Sequence, residues 1–286
     1  MAVSMRRRTW IQRAGFASLA LATVLTVISI VLVVGIILFR GSPAINLEFL
    51  TAMPRDGMKA GGIMPAIVGT FLLALGTAIA SVPFGIGAAI YLAEYASENR
   101  WTRAIRIAII NLAGIPSIVY GLFGLGLFVL FLQFGTSIVA GALTLAIMTL
   151  PVIISTAEEA LRSVPQSFRV VSVSLGGTQW QTVRRIVLPQ AVPGILTGVI
   201  LGLERAVGET AVILFTAAAF FLPALPNSPF DATMALPYHL FVISTQVPGM
   251  PIRIQYGTAA VLLIFVLGMN LFATIIRSRS RARRQW

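Results

Sequence analysis

The 286-residue chain contains no cysteine, one histidine (His239) and one lysine (Lys59). The missing thiols exclude disulfides, thiolate catalysis and cysteine-ligated metals, and one imidazole excludes a histidine-rich metal site. Charge is scarce as well. Only 10% of residues are Asp, Glu, Lys or Arg, against roughly 25% in water-soluble domains. Acidic residues are the scarcest charge: 9 face 21 basic ones, a formal net charge of +12. A soluble chain this basic points to nucleic acid. Here the arginines flank apolar runs, which points instead to membrane orientation and anionic headgroups, with no nucleic-acid partner. Hydrophobic residues make up 57% of the chain and mean hydropathy is +0.92.

A helix crosses a bilayer core with about 20 apolar residues. The uncharged run 14–39 follows Arg6, Arg7, Arg8 and Arg13. It is far longer than the roughly 7–15 apolar residues of a secretory signal, so it is expected to persist as a first span. A second uncharged run lies between Lys59 and Glu94, and the longest lies between Arg106 and Glu158. The latter divides at 133–137 into a hairpin of two spans. A fifth run follows Pro189 to about Leu222, and a sixth covers 257–276. The expected fold class is all-α, a polytopic membrane bundle of about six spans. Arginine asymmetry sets the direction. Loops expected in the cytoplasm hold Arg6, Arg7, Arg8, Arg13, Arg100, Arg103, Arg106, Arg162, Arg169, Arg184, Arg185, Arg277, Arg279, Arg281, Arg283 and Arg284; external loops hold only Arg40, Arg55, Lys59 and Arg253. Both termini are therefore expected in the cytoplasm. The chain divides into a basic segment and first span (1–40), an external loop (41–64), a five-helix domain (65–276) and a basic tail suited to anionic lipid (277–286).

The fifth run alone carries internal charge, in Glu204, Arg205 and Glu209, with Thr210 beside them. Each charge at that depth costs at least about 2.5–3.5 kcal/mol on insertion scales. On one continuous helix Arg205 and Glu209 would be i and i+4 and able to pair. A self-neutralising packing pair is one reading. The other is an anion pathway, with the Arg205 fork holding an oxyanion. Glu209 would then accept from the P–O–H of hydrogen phosphate and repel sulfate, which has no proton to donate.

Two longer polar segments stand between spans. In 165–189, apolar residues at helical spacing (Phe168, Val171 and Leu175, then Trp180, Val183 and Ile186) flank Gly176 and Gly177. That pattern predicts two short helices about a glycine turn, suited either to a groove on another protein or to a lipid surface. The proline-dense external segment 223–256 predicts an irregular loop with at most one short helix near 232–245, with His239 as one of its polar residues. Pro83 and Pro116 are expected to kink their spans, in service of either a pathway or ordinary packing. Glu94 with Arg100 and Arg103 is expected to form a solvated rim. With Lys59 as the only lysine, no P-loop exists here, so ATP hydrolysis would need another chain.

Gly176 and, ten residues on, Ile186-Val187-Leu188-Pro189 resemble the second half of the EAA loop of ABC importer permeases. The resemblance implies a coupling segment within 158–189 that docks in the ATPase through Ser174, Leu175, Gly176, Gly177, Ile186, Leu188 and Pro189. The E-A-A positions are Val170, Val171 and Ser172 here, so the family's acidic contact has no counterpart. The stretch Arg205-Ala206-Val207-Gly208-Glu209-Thr210-Ala211 closely resembles the R-A-x-G-E-T-A signature of permeases of bacterial phosphate-specific importers, with Val212 where the family usually has proline, and the residues 211–217 and 255–260 resemble the A type of its two permease subunits. Gly114-Ile115-Pro116-Ser117 and the residues onward to Gly124 are also similar to that family. It implies a type I ABC importer permease in the bacterial plasma membrane. The implied substrate pathway includes Arg205, Glu209, Thr210, Glu204 and Ser117. Implied partners are a C-type sister permease, two copies of an ATPase subunit that binds ATP and magnesium, and an extracytoplasmic phosphate-binding protein, with no cofactor held by this chain. Alternatives are a permease for another oxyanion or an ATP-independent secondary transporter; an intramembrane enzyme has no nucleophile–base pair to use.

Overall fold

The computed structural model describes residues 2–282, with side chains from 9 to 278. The expected basic clusters at Arg6, Arg7 and Arg8 and at Arg279, Arg281, Arg283 and Arg284 lie outside the described side chains. Helix α1 (Ala2–Gly41) runs 40 residues and is exposed along most of its length. Segment 41–64, expected as a loop, is folded. Helix α2 (Leu47–Thr51) starts at Asn46, whose side chain accepts from the Phe49 N–H at 2.7 Å, satisfying an otherwise orphaned donor. A two-residue antiparallel hairpin follows, strand β1 (Pro54–Arg55) with β2 (Ala60–Gly61).

Helix α3 (Met64–Ile90) passes through Pro83 without ending and closes in a wide π turn, Tyr91–Tyr95. Gly85, two residues beyond that proline, lies against the Ile153 side chain. The surroundings of Pro83 therefore serve helix packing. The expected third span is instead two helices, α4 (Arg100–Ala113) and α5 (Ser117–Gly124), meeting at 100°. Pro116 has no N–H to give and biases Ile115 away from helix, so the helix stops at Gly114. Across the bend, the Tyr120 hydroxyl donates to the Leu112 carbonyl at 2.8 Å.

Helix α6 (Ile138–Arg162) is the buried axis of the bundle. It is followed by α7 (Gln166–Ser174) and α8 (Gln179–Thr182), then by a wide turn, Val183–Val187, that leads into α9 (Leu188–Val207). Gly194, Gly198 and Gly202 of α9 meet Ala160, Thr156 and Ile153 of α6 in turn. Small residues every fourth position let the two backbones close together, as membrane interfaces require when no hydrophobic effect drives helices together. The fifth run does not continue to Leu222 as one helix. It stops at Val207 and resumes as α10 (Ala211–Thr216). Helices α11 (Leu236–Thr245) and α12 (Ile252–Ala282) complete the chain, with α12 antiparallel to α1. Among the described residues, five helices are long and apolar enough to span a membrane, or six if the bent α4–α5 pair counts as one span.

Segment 223–256 holds, as expected, one short helix, α11 (Leu236–Thr245), in otherwise irregular backbone. It folds into the bundle instead of lying on it. Met234, Leu236, Val242 and Ile243 are buried in the main core, the Leu236 N–H donates to the Thr70 hydroxyl at 2.8 Å, and Gly69 leaves room for Thr233 and the Met234 carbonyl. Pro237 sits in the first turn of α11, where a missing N–H costs nothing. His239 is 2% exposed, and neither ring nitrogen has a hydrogen-bond partner. Burial lowers its pKa from 6.5 to about 4, so the ring is neutral and behaves as core.

Candidate functional site

The intramembrane charges sit at a helix break. Gly202 packs on Ile153 and Thr149, halfway along α6, so Arg205 lies about one helical turn beyond mid-span. Helix α9 ends two residues later. The Gly208 N–H closes it on the Glu204 carbonyl at 3.2 Å, and the Glu209 N–H reaches Ala206 at 3.3 Å. Glu209 therefore leaves the α9 register, and the expected i, i+4 pairing with Arg205 does not form. Glu204, Arg205, Glu209 and Thr210 are all half-buried. None of their side chains makes an ion pair or hydrogen bond with a described residue.

The second break lies alongside. On α5, a Cβ at Gly121 would press on the Phe215 ring, the Ala211 carbonyl and the Val212 Cα, and Gly124 is closed by Thr144 and Thr216. Glycine at 121 thus brings the α4–α5 bend up to the α9–α10 break. Ser117 opens α5 one turn before Gly121, half-buried. Both breaks expose backbone groups freed from helical pairing, an arrangement tolerated at membrane depth only where it lines a cavity or meets protein.

A second site occupies the end of the bundle that carries α7. As expected, the segment is helix–glycine–helix: α7 stops at Leu175, and Gly176 takes a left-handed φ of +82°, a conformation that favours glycine. Thr178 then starts α8 with a reciprocal capping box to Gln181. The Ser172 and Thr182 hydroxyls lie 2.7 Å apart and pin the two helices. Leu175 is 83% exposed, and Val170, Val171, Val173 and Trp180 are exposed beside it. A cavity of about 440 Å³ opens among Phe168, Val171, Leu175, Gln181, Arg185 and Ile186. Of the residues assigned to coupling, Ser174, Leu175 and Gly176 stand at the exposed tip, with Gly177 just behind them. Ile186, Leu188 and Pro189 are half-buried at the root of α9, where Leu188 packs on Val187 and Ala191 in a separate core.

The expected solvated rim is a structured ion network. Glu94 pairs with Arg169 of α7, not with Arg100 or Arg103: Nη2 to Oε1 is 2.6 Å and Nε to Oε2 is 3.1 Å, with only 7% and 16% of the two side chains exposed. Arg169 also donates to the carbonyls of Val164 (2.7 Å) and Leu161 (2.9 Å), and Gln179 donates to the Glu94 carbonyl at 2.6 Å. Nearby, Glu158 accepts from Arg106 (2.8 Å) and Arg162 (3.0 Å), and both arginines also reach Glu98 at 3.0 Å. Hydrogen bonds from Arg162 and Arg106 hold the Glu98 carboxyl below its usual range. The sequence names Glu94 and these arginines but does not pair them, because Glu94 and Arg169 lie 75 positions apart; only Glu158 and Arg162, four apart on α6, leave a local trace.

A polytopic helical bundle with mid-span helix breaks and a protruding helix–glycine–helix element defines a membrane permease. The chain belongs to the binding-protein-dependent transport system inner membrane component family, whose pattern matches residues 81–285. It is 35% identical over 250 residues to the probable ABC transporter permease protein YqgI of Bacillus subtilis, covering 83% of this chain and 85% of that one. It is 37% identical over 227 residues to the phosphate transport system permease protein PstA 1 of Mycobacterium tuberculosis (79% and 73% covered). In fold it is similar to a bacterial ABC transporter involved in import of the acidic polysaccharide alginate (TM-score 0.65, 15% identity, 95% and 99% covered). It is also similar to the inward-facing MetNI methionine ABC transporter (TM-score 0.60, 17% identity, 75% and 95% covered). The chain is thus a type I ABC importer permease subunit, and ATP hydrolysis belongs to other subunits.

Proposed function

We propose that this chain forms, with a C-type sister permease, the membrane pathway of an inorganic phosphate importer. Two copies of an ATPase subunit, binding ATP and magnesium, would engage the α7 tip, and an extracytoplasmic phosphate-binding protein would deliver substrate at the opposite end. The observation that carries this reading is the cluster at the α9–α10 break. Two carboxylates and one guanidinium stand half-exposed near mid-span with no partner among the described residues. Facing lipid, each would cost at least about 2.5–3.5 kcal/mol, so that face meets an aqueous pathway or a second subunit. Arg205 supplies a donor fork for an oxyanion, Glu209 accepts a hydrogen bond from the P–O–H of hydrogen phosphate, and Glu204, Thr210 and Ser117 complete the lining. The excess carboxylate calls for a further arginine from the sister subunit. Arginine asymmetry supports placing the α7 end and both termini in the cytoplasm.

Phosphate uptake into vesicles, with and without the ATPase, tests the assignment. Arg205→Ala is expected to lower uptake about 10- to 100-fold, the worth of a charge-assisted hydrogen bond. Glu209→Gln is expected to narrow discrimination between phosphate and sulfate. Unchanged uptake and selectivity in both variants would refute the assigned roles, and uptake without any ATPase would favour a secondary transporter.

A further inference from the structure

At the end of the bundle opposite α7, a pocket of about 400 Å³ lies where α1 ends and α12 begins. Its lining is mostly polar and includes Arg55, Lys59, Arg253, Glu48, Asp56 and Asn46. These cations do not stand alike. Arg55 is paired with Glu48 at 2.6 Å. Lys59 and Arg253 have no carboxylate within ion-pair distance among the described residues, although Asp56 shares the pocket. The Lys59 ammonium leans over Gly249, 3.7 Å from where a Cβ would sit. It therefore lies beside the turn that leads into α12 and Arg253.

The hairpin that carries Lys59 is built at a cost. Asp56, Gly57 and Met58 all have left-handed φ values, of +49°, +61° and +72°, unusual for two residues with side chains. Met58 is held in that conformation by burial in the core, and its neighbour Lys59 is thereby turned out to the pocket. Such strain persists only where surrounding structure enforces it, and it gathers at functional positions.

The flanks identify the occupant. Phe39 (83% exposed), Leu47 (77%) and Ile252 (65%) present bare apolar surface beside the pocket. The membrane-crossing parts of α1 and α12 lie directly beneath it. One helical turn inward, Arg40 rests on the Tyr256 ring at 5.4 Å and donates to its hydroxyl at 3.4 Å, the kind of pair that marks a membrane–water boundary. A polar pocket with two cations outside any ion pair and an apolar skirt at that boundary matches a phosphodiester headgroup with acyl chains running down the helices. We propose that this pocket binds one anionic phospholipid of the phosphatidylglycerol class, its phosphodiester held by Lys59 and Arg253. The proposal needs α1 and α12 to cross the membrane and does not depend on what is transported.

The assembled importer, reconstituted in nanodiscs of phosphatidylglycerol and phosphatidylcholine and then delipidated stepwise, is read by native mass spectrometry for retained lipid. The wild type is expected to keep one phosphatidylglycerol preferentially. Lys59→Ala/Arg253→Ala is expected to weaken retention about 10- to 30-fold, the effect of two cations on anionic lipid. Arg277→Ala, at the far end of α12, leaves retention unchanged. Lys59→Arg restores it. Equal retention of the two lipids, or an unaffected double variant, overturns the proposal. Release of the lipid by millimolar inorganic phosphate would make this a free-anion pocket. A double variant that keeps its lipid but loses capture by the binding protein would make it a docking surface. Either result also overturns the proposal.

Discussion

Removing the Arg169 guanidinium should separate ATP hydrolysis from transport. Arg169 joins α7 to the ends of α3 and α6, by a fork onto Glu94 and by bonds to the Leu161 and Val164 carbonyls. Leu175 at the tip is exposed while the Arg169 side chain is largely buried, so docking surface and anchor are distinct. Arg169→Ala leaves the nearly buried Glu94 carboxylate without its counter-charge. Breaking one half of a buried pair costs about 3–5 kcal/mol, whereas neutralising both halves costs far less. The single variant should therefore lose thermal stability by that amount, and Glu94→Gln/Arg169→Gln should recover most of it. In proteoliposomes containing the full importer, the single variant should still stimulate ATP hydrolysis while uptake per ATP falls several-fold, because α7 moves without drawing α3 along. Arg169→Lys, which retains charge but not the planar fork, should fall between. If Arg169→Ala melts like the wild type and imports with unchanged uptake per ATP, the clamp carries neither stability nor coupling.

Two further outcomes follow from the packing. His239 titrates near 4 in the folded chain against 6.5 when free, so the unfolded state binds more protons as pH falls below 6.5. Stability is full above that value and declines toward 4, by roughly 2 kcal/mol at pH 5. Glu98, whose carboxyl is also lowered, loses its contribution only below about 4.5, its ordinary value, so the window above pH 5 belongs to the histidine. Melting of the purified chain at pH 7.5 and 5 should show this loss, and His239→Phe should abolish it; an equal loss in both proteins would exclude the histidine as its source. At Gly198, a Cβ would overlap the Thr156 side chain. Gly198→Ala should therefore destabilise the α6–α9 contact by about 1–3 kcal/mol, measured by thermal melting, and Gly198→Ala/Thr156→Ala should restore most of it.

Much of this molecule was legible one residue at a time. Apolar run lengths mark where the long helices lie, because the hydrocarbon thickness leaves little choice of length; whether the bent α4–α5 pair makes one crossing is a matter of tertiary structure. The two short helices about Gly176 follow from local periodicity and a glycine that takes a left-handed turn. The family likeness rests on short contiguous motifs.

Other features depend on contacts between residues far apart in the chain, and composition does not reveal them. Pro116 announces a disruption, but the 100° bend is held by Tyr120 reaching back to Leu112 and by the close approach of Gly121 to Ala211. Arg205 and Glu209 read as one helical face; the chain leaves that helix at Gly208, and the charges part. Proline density marked 223–256 as irregular with one short helix, which α11 is; that its apolar residues fill space between α3, α10 and α12 is decided by burial against distant helices. Glu94 read as a solvated residue until α7 delivered Arg169 to it. A single sequence sets how each segment meets water, lipid and its own backbone, while pairings across 75 positions exist only once the helices have packed.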